Sequence, residues 1–234
     1  MSLEQTIADL VAASNSLTGT INSKMNEIDQ KVDEATGAVP SEIRSMMTRL
    51  VHVDYTAGSD DNDGSLSNPY ATLKKAIEGS PAGALVEVRV INSGDIIFKE
   101  KIEIGNRTVR VVPRGFDFNN RADTAVRFVM SEPNKQIIAG RNSLLELEGF
   151  DIETLLIPDG TDTSNLALYN NYRTSLISTL GSNSDVLLTQ CNIKVNHGAV
   201  MHQHSGGSVG YANLMMRNTD VEKVDLSVST VSYK

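Results

Sequence analysis

The chain has 234 residues with 40% hydrophobic and 21% charged side chains, which is enough apolar content for one sizeable core and argues against bulk disorder. Its 29 acidic and 21 basic residues leave a net charge of -8, and its longest basic cluster is Lys74-Lys75, so phosphate-neutralising nucleic-acid binding is excluded as its business. A single cysteine, Cys191, rules out an intrachain disulfide or a multi-cysteine metal centre and fits a reducing compartment, while the longest apolar run near the start, Leu10-Val11-Ala12-Ala13, is too short for a signal peptide or a membrane insertion.

From Ile7 onward, apolar or small residues recur in alternating steps of four and three: Ile7, Val11, Ser14, Thr18, Ile21, Met25, Ile28, Val32, Ala35. This is a heptad seam, with Ile7, Ile21, Ile28 and Ala35 at d, and Val11, Thr18, Met25 and Val32 at a. Leu3, Leu10 and Leu17 fall at g and widen the face, which favours three strands over two and predicts a homotrimer. An amphipathic helix folded back on its own domain is the competing reading. Ser14, Thr18 and Gly19 weaken the seam, so the coiled coil leans on the rest of the trimer or on a partner.

Gly37 as a C-cap and Pro40 as a stop predict that this helix ends near Ala35 or Thr36, which sets residues 1–36 apart as a coiled-coil stalk. Ser41 then caps a second short helix whose apolar positions are Ile43, Met46, Met47 and Leu50, giving a helical adaptor over residues 37–50.

Beyond Leu50 the period falls to two. Val51, Val53 and Tyr55 alternate with His52 and Asp54, and Val86, Val88 and Val90 alternate with Glu87 and Arg89, so residues 51–234 read as a mainly β body. One helix interrupts it near residues 69–79, opened by Asn68-Pro69, with Tyr70, Leu73 and Ile77 on its apolar face and Gly79 and Pro81 closing it.

Three segments share the order apolar, three variable residues, Asp or Asn, apolar, charged: Leu147 to Glu153, Leu188 to Lys194, and Met216 to Glu222. Their unequal intervals suit stacked solenoid coils of roughly 20 to 30 residues with one coil skipped. Turn-to-strand junctions of a β-sandwich give the same pattern, so both architectures stay open.

The run Val51-His52-Val53-Asp54-Tyr55, the loop Gly58 to Gly64 and Asn68-Pro69-Tyr70 through Ile77 resemble the entry of pectate-lyase-like proteins. That resemblance implies a right-handed parallel β-helix whose open end is covered by the short helix. The opening Met1 to Gln5 with Ile21 to Val32 resembles the N-terminal module of bacteriophage tail fibres. It implies attachment to tail or baseplate proteins through the N-terminus, host-surface adhesion at the distal part, a virion location and assembly in the host cytoplasm.

His202-Gln203-His204 places two imidazoles on one side of a strand, and three chains about an axis would then direct six at one point, a set suited to iron or a similar divalent ion. Such motifs are similar to those in trimeric fibre tips; two surface histidines are the plainer reading, and His197 has the wrong spacing to join them. Asp60 to Gly64 fails the calcium-loop register and reads as an acidic turn. Asp151 with Glu153, or Glu146 with Glu148, could supply a glycan-cleaving carboxylate pair, although any solvent-facing strand has such spacing. Tyr169, Tyr172 and Tyr211 are candidates for stacking on sugars.

The sequence therefore predicts a non-enzymatic structural and adhesion protein whose partners are a tail protein and a host-surface glycan or protein. A polysaccharide depolymerase is the first alternative, and a spacer that docks another tail protein is the second.

Overall fold

The computed structural model describes residues 2–92, 94–116, 126–164, 171–180, 183–204 and 212–223, and of residues 171, 172, 180, 203 and 204 the backbone alone. The chain divides into two compact units, Met1–Ser45 and Met46–Lys234.

The first unit is helical. Helix α1 spans Leu3–Met47, and none of its residues is buried. The break expected after Thr36 does not occur: a single helix runs through Gly37 and Pro40, and no separate adaptor helix starts at Ser41. Proline removes one backbone donor and crowds the carbonyl four residues earlier, which the helix formers Ala38, Glu42, Arg44 and Met46 around it outweigh. Instead of capping a new helix, the Ser41 hydroxyl donates to the Ala38 carbonyl at 2.8 Å.

The second unit is built from parallel strands. Thr48–Val53 (β1) is followed by helix α2 (Leu73–Glu78), and then the chain cycles through three sheets. Its successive rungs are β2 (Leu85–Val90), β3 (Gly94–Ile97) and β4 (Ile102–Glu103); β5 (Thr108–Pro113), β6 (Val126–Val129) and β7 (Ile137–Ala139); β8 (Ser143–Glu148), β9 (Asp151–Glu153) and β10 (Ile177–Leu180); β11 (Ser184–Thr189), β12 (Asn192–Val195) and β13 (Met201–His204). A last rung contributes β14 (Ala212–Arg217) and β15 (Asp220–Lys223), and a short helix α3 (Asn171–Thr174) lies before β10. The sheet orders are β1-β2-β5-β8-β11-β14, β3-β6-β9-β12-β15 and β4-β7-β10-β13. Each strand pairs with its counterpart one rung away, and every pairing is parallel, so the unit is solenoid-like rather than a sandwich.

Alternation in the sequence becomes columns in the core. Val51, Val88, Val111, Leu147, Leu188 and Met216 are consecutive members of one column in the long sheet. Ile96, Phe128, Ile152, Ile193 and Val221 form another in the second sheet. Phe128 stacks on Phe98 with ring centroids 5.5 Å apart and leans on Phe150 at 4.4 Å, which fills the corner between sheets. Cys191 occupies the next rung of that corner, fully buried, its thiol 3.4 Å from the Leu147 carbonyl.

The three repeated segments fall in register: Leu147, Leu188 and Met216 are paired neighbours, as are Asp151, Asn192 and Asp220. No coil is skipped between the first two, because β11 pairs directly with β8. The interval of 41 residues is a single coil lengthened by the segment between β9 and β10. Each repeat also holds one left-handed residue at the corner, Gly149, Gln190 or Asn218, where the chain swings from the first sheet to the second.

Helix α2 begins later than Asn68-Pro69 suggests. Thr72 is its N-cap, accepting from the Lys75 N–H at 3.1 Å, and Leu73, Ala76 and Ile77 are buried against the first rungs. At its other end Arg49 donates to the Gly79 carbonyl at 3.0 Å and to the Tyr70 hydroxyl at 3.3 Å. Strand β1 thus carries, in register with Val86, a cation that satisfies a helix end.

Candidate functional site

The most prominent feature of α1 is an exposed apolar stripe. Ile7, Val11, Ile21, Met25, Ile28 and Val32 are each about half exposed, between 49% and 58%, on a helix with no buried residue. Thr18 shares the stripe and turns its hydroxyl back on the Ser14 carbonyl at 2.9 Å. Beside it, Lys24 and Lys31 bracket Glu27 at 2.6 and 2.9 Å, and these contacts hold the Glu27 carboxyl below the usual glutamate range.

On the second unit, the outer face of the second sheet forms an open groove of about 420 Å³ lined by Arg127, Asp151, Glu153, Asn192, Lys194, Asp220 and Glu222. Its charges alternate up the rungs. Arg127 clasps Asp95 at 2.7 Å and Glu153 at 3.0 Å, and Lys194 approaches Glu153 at 3.3 Å. The Asn192 amide donates to Asp151 at 2.8 Å. Burial pushes the Glu153 carboxyl up, but the Asn196 amide, Lys194 and Arg127 outweigh it and hold the group below its ordinary value. The Arg127 guanidinium does the same for Asp95.

The long sheet carries a second polar cluster on its outer face. Arg110 binds Glu148 through Nε at 3.1 Å and through Nη2, and it lies 3.6 Å from both Glu87 and Glu146. Burial raises the Glu146 carboxyl; Arg110 opposes this, and the neighbouring Glu148 charge reinforces it. The two carboxyls thus share one cation, which binds Glu148 more closely than Glu146. The pair Asp151 and Glu153 is different, since Glu153 is committed to two cations and is a poor proton donor.

His202 is in register with Ser178 on the third sheet, and the His204 side chain lies outside the described residues. Among the described residues, no group of three or more His, Cys, Asp or Glu side chains is placed to hold a metal ion. His197 has a structural job: its Nδ1 accepts from the Ile157 N–H at 3.0 Å, bracing the segment after β9. The acidic turn is likewise committed to the backbone. Asp60 accepts from the N–H groups of Ala71 and Thr72 at 3.0 and 2.9 Å, and Asp63 from that of Ser65 at 2.8 Å. Tyr169, Tyr211 and the Tyr172 side chain lie outside the described residues.

Sequence reading singled out Asp151 and Glu153 but missed Arg127, Asn192, Lys194, Asp220 and Glu222. The signal was present in the repeated segments, whose Asp or Asn and charged positions are the outward neighbours of the buried Ile152 and Ile193.

No family model matches the chain, and no curated protein does. Among solved structures it is similar to one titled rhamnogalacturonan lyase, with a TM-score of 0.41 and 14% identity over 75% of this chain and 53% of that one. The chain therefore spans about half the length of that protein, and the fold described above rests on the strand pairing itself.

Proposed function

We propose that the chain is a structural, non-enzymatic subunit of a homotrimeric bacteriophage tail fibre. In this reading three α1 helices join as a coiled coil that attaches to a tail or baseplate protein, and a right-handed solenoid presents its outer faces to a glycan or protein on the host surface. The observation that carries the proposal is a 45-residue helix without one buried residue, whose exposed apolar stripe keeps a 3.5-residue repeat from Ile7 to Val32. A helix belonging to its own domain would bury that stripe. The tail-fibre assignment itself draws on the likeness of residues 1–5 and 21–32 to that module.

The test is mass in solution followed by host binding. Light scattering should give three times the 25.3 kDa chain mass, and Ile21→Asp combined with Ile28→Asp should lower it or make it concentration-dependent. A monomer at micromolar concentration ends the proposal. A metal on the threefold axis belongs to the same reading, with His202 and His204 of three chains as ligands; iron analysis of the purified trimer tests it without touching the assembly.

Glu146 and Glu148 favour a second reading, cleavage of a surface polysaccharide on the outer face of the long sheet. It requires new reducing ends when host glycan is incubated with the protein, and their loss in Glu146→Gln.

A further inference from the structure

We infer that the association stripe of α1 does not stop at Ala35 but continues past Pro40 to Ile43, with the helices parallel and in register. This rests on the self-association proposed above and extends it to a part of the helix that Gly37 and Pro40, read locally, exclude.

Because α1 is one helix to Met47, the positions after Ala35 stay on a defined face. Val39 and Ile43 are 50% and 56% exposed, matching the members of the stripe before them. A strict heptad continued from Val32 and Ala35 would pass through Val39 to Glu42, and it would push a carboxylate into an apolar seam at a high desolvation cost. One additional step of four reaches Ile43 instead. Val32, Ala35, Val39 and Ile43 then form a single eleven-residue unit, whose period of about 3.67 residues per turn locally unwinds a left-handed supercoil. Pro40 falls between Val39 and Ile43, beside the stripe and within its most relaxed stretch. The sequence thus places the proline of the helix where the seam itself departs from the heptad.

Orientation follows from charge. With Ile21 and Ile28 at d, Lys24 is a g position and Asp29 is the e position five residues later, the pair that faces across neighbouring parallel helices in register. An antiparallel arrangement sets g against g and brings Lys24 toward Lys or Leu, with no carboxylate to meet it. Lys24 also reaches Glu27 of its own helix at 2.6 Å, which leaves Asp29 as the acidic group on the opposite flank.

Disulfide capture reads both halves of the inference. Three full-length variants, Val11→Cys, Ile43→Cys and Ser23→Cys, are oxidised mildly with the buried Cys191 left in place, and covalent pairs are counted on a denaturing gel. Val11 and Ile43 should each give mostly linked chains, and Ser23, on the opposite face, less than about a tenth as much. Linkage at Val11 without Ile43 means that the seam ends before Pro40, which overturns the inference and leaves the assembly intact. Linkage at Ile43 without Val11 breaks the continuous seam. Failure of both, or equal linkage at Ser23, removes the parallel stripe and with it the assembly reading.

Discussion

Arg110 of β5 grips Glu148 of β8 across the outer face of the long sheet, with its Nε 3.1 Å from a carboxylate whose side chain is only 8% exposed. The residues are 38 apart in sequence, yet they sit on adjacent rungs. A buried carboxylate that loses its cation keeps its desolvation cost. Arg110→Leu should therefore destabilise the chain by about 2 kcal/mol, below the value for a fully enclosed pair because Arg110 itself is 39% exposed. Urea unfolding of both proteins measures it, and a change within experimental error would show that the pair is ornamental.

Glu146, two residues away, should respond in the opposite sense. A carboxyl raised by burial is harder to ionise in the folded chain, so its charge costs stability above that raised value, and the cost disappears as pH falls through it. Glu146→Gln should leave the protein equally or slightly more stable at neutral pH, with the difference vanishing in acid. Unfolding midpoints at pH 7 and near pH 4 test the sign.

For Glu153 and Asp95 the sign reverses again. Asp95 is held below its ordinary value by Arg127, and Glu153 by the Asn196 amide and Lys194 with a smaller part from Arg127, so both stabilise the fold above the unfolded-state value of roughly 4 and lose that contribution as pH drops through the folded one. Arg127→Met should flatten the fall of stability below about pH 4, and its effect at pH 7 should be at most about 1 kcal/mol because the side chains of Arg127 and Asp95 are 44% and 43% exposed. Equal acid slopes in the two proteins would contradict the ladder.

In the core, Phe128 meets Phe98 on one side and Phe150 on the other, and it is fully buried. Phe128→Ala should cost about 4 kcal/mol in equilibrium unfolding, whereas Phe128→Leu should cost less than half of that.

Glycines give a contrast in direction. A Cβ at Gly58 would collide with the carbonyl oxygens of Tyr70 and Asp54, both backbone atoms that cannot step aside, so Gly58→Ala should destabilise by about 2 kcal/mol or more. Nothing lies within 4 Å of a Cβ at Gly37, and Gly37→Ala should add helix stability of about 0.5–1 kcal/mol, read from the helical signal on heating.

Much of this was legible in the residues. The alternation of Val86, Val88 and Val90 marked a strand, the stripe from Ile7 to Val32 marked an exposed helix face, and the repeated segments marked rungs in true register. What escaped has common causes. Pro40 signals a stop locally because local rules cannot weigh one lost hydrogen bond against a 45-residue helix. The outer ladders escaped because partners lie one coil apart and the coils differ in length: Arg127 finds Glu153 at 26 residues and Asp95 at 32, and Lys194 finds Glu153 at 41. No fixed spacing could have revealed them.

Both columns of the core open at their last described rung. Leu188 and Ile193 are sealed, but the next members, Met216 and Val221, are 48% and 53% exposed. In a stack where each layer touches only its neighbours, cohesion is the sum of successive interfaces, so opening proceeds layer by layer from the weakest boundary. Amide protons of β14 and β15 should consequently exchange with deuterium first, followed by those of β11 and β12, so that the fold loosens in the manner of a zipper.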